Sequence, residues 1–171
     1  MSYDMNDRHL ITFDKDDKVA LYTEDLKVWY GQNEAIHGVD LEFEKNCITA
    51  LIGPSGSGKS TYLRSLNRMN DGISGTNVTG KIMYKDVDVN RKDIDVYEMR
   101  KRIGMVFQRP NPFSKSIYEN ITFALKRHGE RDKQKLDEIV ESSLKQAALW
   151  EQVKDNLHKS ALALSGGQQQ R

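Results

Sequence analysis

The chain carries a single cysteine, Cys47, so no disulfide can form within it, and this thiol is expected to serve as a small buried hydrophobe in a strand. No run of 18 apolar residues occurs, which excludes a membrane-spanning helix. The stretch from Met1 to Lys18 is polar and Asp-rich and lacks the pattern of a signal peptide, so the chain is expected to stay in the cytoplasm. Neither sign of charge dominates: 26 basic side chains stand against 25 acidic ones, a net charge of +1, and nothing global points to nucleic acid or to an anionic membrane surface. The basic run Arg100-Lys101-Arg102 reads as a solvated helix face, and no internal repeat is present. What remains is a 171-residue chain with 37% hydrophobic side chains, enough for one soluble domain with an ordinary core.

One stretch organises the rest. Gly53-Pro54-Ser55-Gly56-Ser57-Gly58-Lys59-Ser60-Thr61 fits the phosphate-binding loop G-x-x-x-x-G-K-[ST] at every fixed position. It follows a short apolar run, Cys47 to Ile52, expected as a strand, and precedes Tyr62 to Met69, where Leu63, Leu66 and Met69 recur at helical spacing. A triphosphate must be wrapped closely by main-chain N–H groups, and a Cβ at Gly56 or Gly58 would obstruct that approach. The helix that follows offers unpaired N–H groups and the positive end of its dipole. Lys59 would place a full charge on the β- and γ-phosphates, the Ser60 hydroxyl would ligate Mg²⁺, and Thr61 could reach the α-phosphate.

Residues 1–19 read as a mobile tail. From Ala20, two strands joined by a turn at Gly31-Gln32-Asn33 lead towards the loop, with Val39, Leu41 and Phe43 on one face of the second. Asn70 to Thr79 reads as a loop, Lys81 to Val87 as a strand, Asp93 to Arg102 as a short helix with an Asp cap, and Ile103 to Phe107 as a buried strand. Two prolines, Pro110 and Pro112, forbid regular structure after Gln108. Ser116-x-x-Glu119 is a capping box that opens a helix running to Gly129, and a second helix fits Asp132 to Ala148 on the stripe Leu136, Ile139, Val140, Leu144 and Ala147. Residues 116–164 thus form an all-helical part, and the chain closes on a glycine turn that opens another helix.

That turn, Leu164-Ser165-Gly166-Gly167-Gln168, matches the signature motif of ATP-binding cassette (ABC) ATPases, and with the phosphate loop it makes the chain resemble the ATPase subunit of such a transporter over residues 20–171. The resemblance implies an α/β fold: a phosphate-loop NTPase core of RecA type, with a mixed sheet and an antiparallel β subdomain over residues 20–115, a helical subdomain over 116–164, and the signature over 165–171. It implies that Ser165 and the amide of Gly167 face the γ-phosphate of an ATP in the partner's loop, with Gly166 and Gly167 permitting close approach beside Gln168. Gln108 corresponds to the glutamine that contacts Mg²⁺ or its water and senses the membrane subunit, so Lys59, Gln108 and Ser165 are the expected catalytic residues and Ser60 and Gln108 the expected metal ligands. Tyr30 corresponds to the aromatic residue that stacks on adenine, and Trp29, on the opposite face of an alternating strand, is then the core residue.

Within the family the chain is most similar to the ATPases of bacterial high-affinity phosphate importers, through Ile103 to Phe113, Ser116 to Ile121, Ala147 to Trp150, Lys154 to Leu157 and Leu164 to Arg171. The resemblance implies ATP and Mg²⁺ as cofactors and a head-to-tail homodimer on the cytoplasmic face of the membrane. The partners implied are permease subunits and, indirectly, a phosphate-binding protein, with no nucleic acid. A membrane-subunit helix is expected to dock around Phe113 to Tyr118. The family pattern continues past Arg171 into an aspartate, the glutamate that polarises water and a switch histidine; His9, His37, His128 and His158 all precede the signature and cannot replace the last. The expectation is an N-terminal piece of a longer ATPase, lacking part of its core sheet, that binds ATP and hydrolyses it poorly. Two alternatives are a natural ATP-binding or regulatory module without turnover and the ATPase of an importer with another cargo. The guanine motif Asn-Lys-x-Asp is absent, which favours adenine.

Overall fold

The structure is a computed structural model that describes residues 18–171. The tail expected over residues 1–19 lies outside the described residues up to residue 17, and the first strand starts at Val19. The chain divides into two compact units, one ending at Met105 and the other running from Val106 to Arg171. The boundary falls ten residues before the expected one at 115, because the Asn120 side chain clamps Phe113 to the helices: the Phe113 N–H donates to its Oδ1 at 2.8 Å and its Nδ2 donates to the Phe113 carbonyl at 3.1 Å.

The first unit is built on a four-stranded antiparallel sheet in the order β2-β1-β3-β4, with β1 Val19–Tyr30, β2 Asn33–Glu44, β3 Thr76–Tyr84 and β4 Val87–Asp88. Strands β1 and β2 form the expected hairpin, with Tyr30 opposite Asn33 across a turn in which Gly31 has a φ of +61°. A bulge interrupts β1 at Asp25, whose N–H donates to the Asp40 carboxylate at 2.5 Å. Gly80 of β3 lies so close to the Asp25 carbonyl that no Cβ fits there, which is why a glycine stands at this crossing. One face of the sheet buries Leu21, Leu26, Val28, Ile36 and Ile82. Helix α1, Lys59–Leu66, and helix α2, Val96–Arg100 capped by Asp95, contribute Tyr62, Leu66 and Met99 to the same core.

Several expectations fail here for identifiable reasons. Strand β3 starts at Thr76, inside the expected loop 70–79, because pairing with β1 outweighs the weak strand preference of Asn77 and Gly80, while Thr76, Val78 and Thr79 suit a strand. Residues 47–52 and 103–107 form no strand: no strand among the described residues lies beside either segment to accept its ladder bonds. Ile48 and Ile52 are therefore fully exposed, Val106 is largely so, and Cys47 is an exposed thiol that donates to the Glu44 carboxylate at 3.3 Å, contrary to its expected burial. That contact, together with some desolvation, holds the thiol above its usual pKa. The parallel part of the expected mixed sheet is not formed among the described residues.

The second unit is helical: α3 Ile117–Arg127, α4 Lys133–Gln146, α5 Trp150–Val153 and α6 Gly166–Gln170, with short 3-10 turns at 154–156 and 161–163. Ser116 and Glu119 make the expected capping box, and Asp132 caps α4 through the N–H groups of Gln134 and Lys135. The α4 stripe buries Leu136, Val140 and Leu144, and the last two share a core with Ile117, Leu149, Val153 and Ala161. Residues 115–118 and 157–161 run side by side, with the Ile117 N–H donating to the Lys159 carbonyl at 3.0 Å and the Tyr118 N–H to that of Leu157 at 2.9 Å.

Candidate functional site: the phosphate loop and the signature turn

The first unit carries the phosphate loop. Residues 55–58 turn tightly, with Gly56 and Gly58 at φ values of +82° and +85°, in the left-handed region that a side chain rarely adopts. The two glycines are required for different reasons. A Cβ on Gly56 would meet nothing in the chain within 4 Å, so the surroundings there are open. A Cβ on Gly58 would lie 2.5 Å from Ile36 Cδ1 and 3.1 Å from the Ala35 carbonyl, so this glycine also lets the loop sit against β2.

Helix α1 starts at Gly58 with no side-chain cap. The N–H groups of Lys59, Ser60 and Thr61 have no acceptor among the described residues, and the first main-chain bond is Tyr62 N–H to the Gly58 carbonyl at 2.8 Å. Three parallel donors at the positive end of a helix dipole suit an anion. The Lys59 ammonium is folded back onto the loop, donating to the carbonyls of Gly53 at 2.8 Å and Pro54 at 2.6 Å and to Ser57 Oγ at 3.1 Å. Pro54, Ser55, Gly56 and Ser57 are exposed, as is Ser60 on the first turn.

The far side of α1 is anchored. Tyr62, not Leu63, is its main buried side chain, and its hydroxyl lies 2.9 Å from Thr23 Oγ1 of β1; Leu63, expected on the apolar stripe, is exposed. Burial pushes the Tyr62 phenol up to about 12. Asn70, wholly buried, donates to the Thr61 carbonyl at 2.9 Å and to Ser65 Oγ at 2.7 Å, fixing the first helical turn from below. Sequence reasoning missed Asn70, since a lone asparagine after a helix gives no signal. The Tyr30 ring packs against the core and its hydroxyl donates to Thr61 Oγ1 and Asn70 Oδ1, both at 3.3 Å, which brings this residue to the loop's own helix. Trp29, expected in the core, is only half-buried and stands outside the cluster, because Leu26, Val28 and Tyr30 alternate onto the core face and leave Trp29 on the other.

The second unit carries Gln108 and the signature. Gln108 is exposed. Ser165 caps α6, accepting from the Gln168 N–H at 3.3 Å, while Gln168 Oε1 accepts from the Ser165 N–H at 2.9 Å. Gln168 Nε2 also donates to Gln152 at 3.0 Å, so its amide is engaged at both ends. Gly166 and Gly167 are exposed, a Cβ on either would meet nothing, and their N–H groups have no acceptor among the described residues. Gln170 donates to the Phe107 carbonyl at 2.7 Å, tying the signature helix to the residue before Gln108. Among the described residues no three His, Cys, Asp or Glu side chains cluster as a metal site; His37 pairs with Glu34 at 3.3 Å and His158 packs on Tyr118, whereas His9 lies outside the described residues.

The sequence profile described as "ABC transporter" matches residues 36–171. The chain belongs to the ABC transporter family. Curated relatives of this ABC chain include the phosphate import ATP-binding protein PstB 2 of Enterococcus faecalis, 81% identical over 170 residues that make up 99% of this chain and 63% of the relative. PstB 2 of Streptococcus pneumoniae is 69% identical over the same span and coverage, and PstB 1 of Streptococcus thermophilus 70% identical over 169 residues. The chain thus spans 63% of the length of these relatives. Among solved structures, cbiO1 of Clostridium perfringens, part of the ABC transporter complex cbiONQ, superposes with a TM-score of 0.72 at 25% identity, covering 90% of this chain and 58% of that one. A bacterial Atm1-family ABC exporter with ATP bound gives a TM-score of 0.69 at 23% identity, covering 90% and 26%, a likeness of fold alone. Membership of this family implies nucleotide binding, and no described helix is long and apolar enough to cross a membrane.

Proposed function

We propose that this chain supplies the nucleotide-binding part of an ATPase subunit that couples ATP binding and hydrolysis to the uptake of inorganic phosphate. One observation carries the ATP reading: an uncapped helix start with three unpaired N–H groups and a lysine on an open glycine loop. The cargo reading is supported by the names of relatives 69–81% identical, since no residue of the chain itself is assigned to phosphate as cargo.

On ATP, the Lys59 ammonium would exchange the Gly53 and Pro54 carbonyls for phosphate oxygens, and the first-turn N–H groups would donate to the same phosphates. The exposed Ser60 hydroxyl suits Mg²⁺, a hard cation that takes oxygen ligands and draws off charge from the phosphates; Gln108 as a second contact rests on the family resemblance. The roles of Tyr30 at adenine and of Ser165, Gly166, Gly167 and Gln168 at the γ-phosphate of a partner's nucleotide rest on the same footing, as do the head-to-tail pairing and the docking of a permease helix near Phe113 and Tyr118. Exposed Phe113, its ring 4.7 Å from that of exposed Phe123, supports the last of these. The phosphate-binding protein would act through the permease, and the site of action would be the cytoplasmic face of the membrane.

The test is nucleotide binding by Lys59→Ala, read with a fluorescent ATP analogue. Binding is expected to be lost, and a Kd equal to that of the parent chain would overturn the loop reading.

A further inference from the structure

The second unit contains a cavity of 540 Å³ whose lining, apart from Tyr118 at the segment proposed for permease docking, takes no part in the roles above. Its floor is apolar, made by Leu136 and Val140 of the α4 stripe and by Leu157. Two aromatic rings, Tyr118 and Trp150, stand in its wall, and three cations, Lys126, Arg131 and Lys133, line it as well.

None of these cations forms a close ion pair, although Lys126 lies near enough to Glu119 to add to the Ser116 hydrogen bonds that hold that carboxylate below its usual pKa. Among the described residues no carboxylate lies within 4.0 Å of Lys126, Arg131 or Lys133, whereas Lys135 next to them is paired with Glu130 at 2.5 Å. Of the acids in the cavity wall, Glu141 is paired with Lys145 at 2.6 Å, whereas Asp137 accepts the Tyr118 hydroxyl at 2.7 Å and keeps its negative charge. That hydrogen bond holds the Tyr118 phenol protonated, its pKa pushed up to about 12. The Lys126 ammonium rests 5.5 Å from the centre of the Tyr118 ring, so a positive charge and an aromatic face are already held side by side.

A ligand that answers all three features has a flat ring, a phosphoryl group and the size of a small metabolite. Pockets of about 300–1,000 Å³ hold such molecules, stacking on Tyr and Trp is tolerant of the base, and unpaired Lys and Arg take the phosphate. We propose that this cavity binds a mononucleotide, with the base against Tyr118 and Trp150 and the phosphate on Lys126, Arg131 and Lys133, separately from any nucleotide at the phosphate loop. The site would give the helical unit a ligand of its own.

The test uses the chain carrying Lys59→Ala, so that the loop contributes little, and calorimetric titration with AMP, adenosine and inorganic phosphate. AMP is expected to bind at one per chain, with adenosine and phosphate each at least about tenfold weaker, because each lacks half of the recognised chemistry. Arg131→Ala and Lys133→Ala, both at exposed positions, are expected to weaken AMP by about tenfold while leaving the circular-dichroism melting curve unchanged. AMP binding that ignores both substitutions, phosphate binding as tightly as AMP, or no heat from AMP up to about 5 mM would each overturn the proposal. Failure of the loop reading would be seen elsewhere, in ATP binding that survives Lys59→Ala, and leaves the response of AMP to Arg131 as the deciding measurement here.

Discussion

Helices α1 and α3 begin in opposite ways. At α3 every early donor is satisfied within the chain: Ile117 by Lys159, Tyr118 by Leu157, Glu119 by the Ser116 hydroxyl at 3.1 Å and Asn120 by the Ser116 carbonyl at 3.0 Å. At α1 the equivalent donors of Lys59, Ser60 and Thr61 face no acceptor among the described residues, and the capping position is a left-handed glycine. A helix start closed in this way serves stability, and one left open costs stability unless an anion completes it. Helix α6 falls between the two: Ser165 and Gln168 close part of its start, while the amides of Gly166 and Gly167 remain open. The three starts therefore rank by how much they leave for something else to bind.

The largest effect that would break this ranking is at Gly58. Gly58→Ala forces a side chain to a φ of +85° and against Ile36 and the Ala35 carbonyl, and is expected to cost about 2–3 kcal/mol in urea unfolding together with loss of ATP-analogue binding. Gly56→Ala, at a similar φ but in open space, should cost less, so an equal cost at the two sites would show that contact with β2 does not matter. Next is Ser116→Ala, which removes a complete cap and should destabilise the chain by about 1 kcal/mol with nucleotide binding unchanged.

The anchor beneath α1 offers a pH test. Burial pushes the folded Tyr62 phenol up to about 12, above the ordinary phenol value of 10.0, so the protonated form is favoured by folding. Its contribution is fully present below pH 10 and is lost as pH rises towards 12, and Tyr62→Phe should flatten that part of the stability profile. The smallest effect is at α6: Gly166→Ala has room for its methyl and a better helix former, so stability should stay level or rise by up to about 1 kcal/mol. A fall in ATP-driven pairing of the chain without any fall in its melting temperature would mark Gly166 as held for function.

What could be read from the sequence was whatever depends on local chemistry. The phosphate loop, the capping box at Ser116 and the Leu136-Val140-Leu144 stripe all follow from short-range spacing, and the structure contains each of them. What could not be read depends on distant partners. Apolar runs such as 47–52 become strands only when another strand lies alongside, and among the described residues none does, so Cys47 and Ile48 are exposed. Thr76 to Thr79 was hidden by the neighbouring Asn and Gly residues that read as a loop, yet it pairs with β1. Leu26, Val28 and Tyr30 alternate onto the core face, so Tyr30 and not Trp29 packs inward, an outcome that alternation counted from Val28 does give. In the site, Lys59 and Ser60 were legible from the motif, while Asn70 and Thr23, which hold α1 from behind, were silent because only tertiary contact gives them a role.

The folded-back lysine has a thermodynamic consequence. With its ammonium already sharing three oxygens of the loop, a nucleotide meets a cation whose coordination is occupied, and binding there is a swap of one set of oxygens for another. Measured affinity at this loop is then a difference between two well-solvated alternatives, and changes to Ser57 should move it without touching the nucleotide at all. Ser57→Ala, which removes one of the competing oxygens, is expected to tighten ATP rather than weaken it, by no more than about threefold.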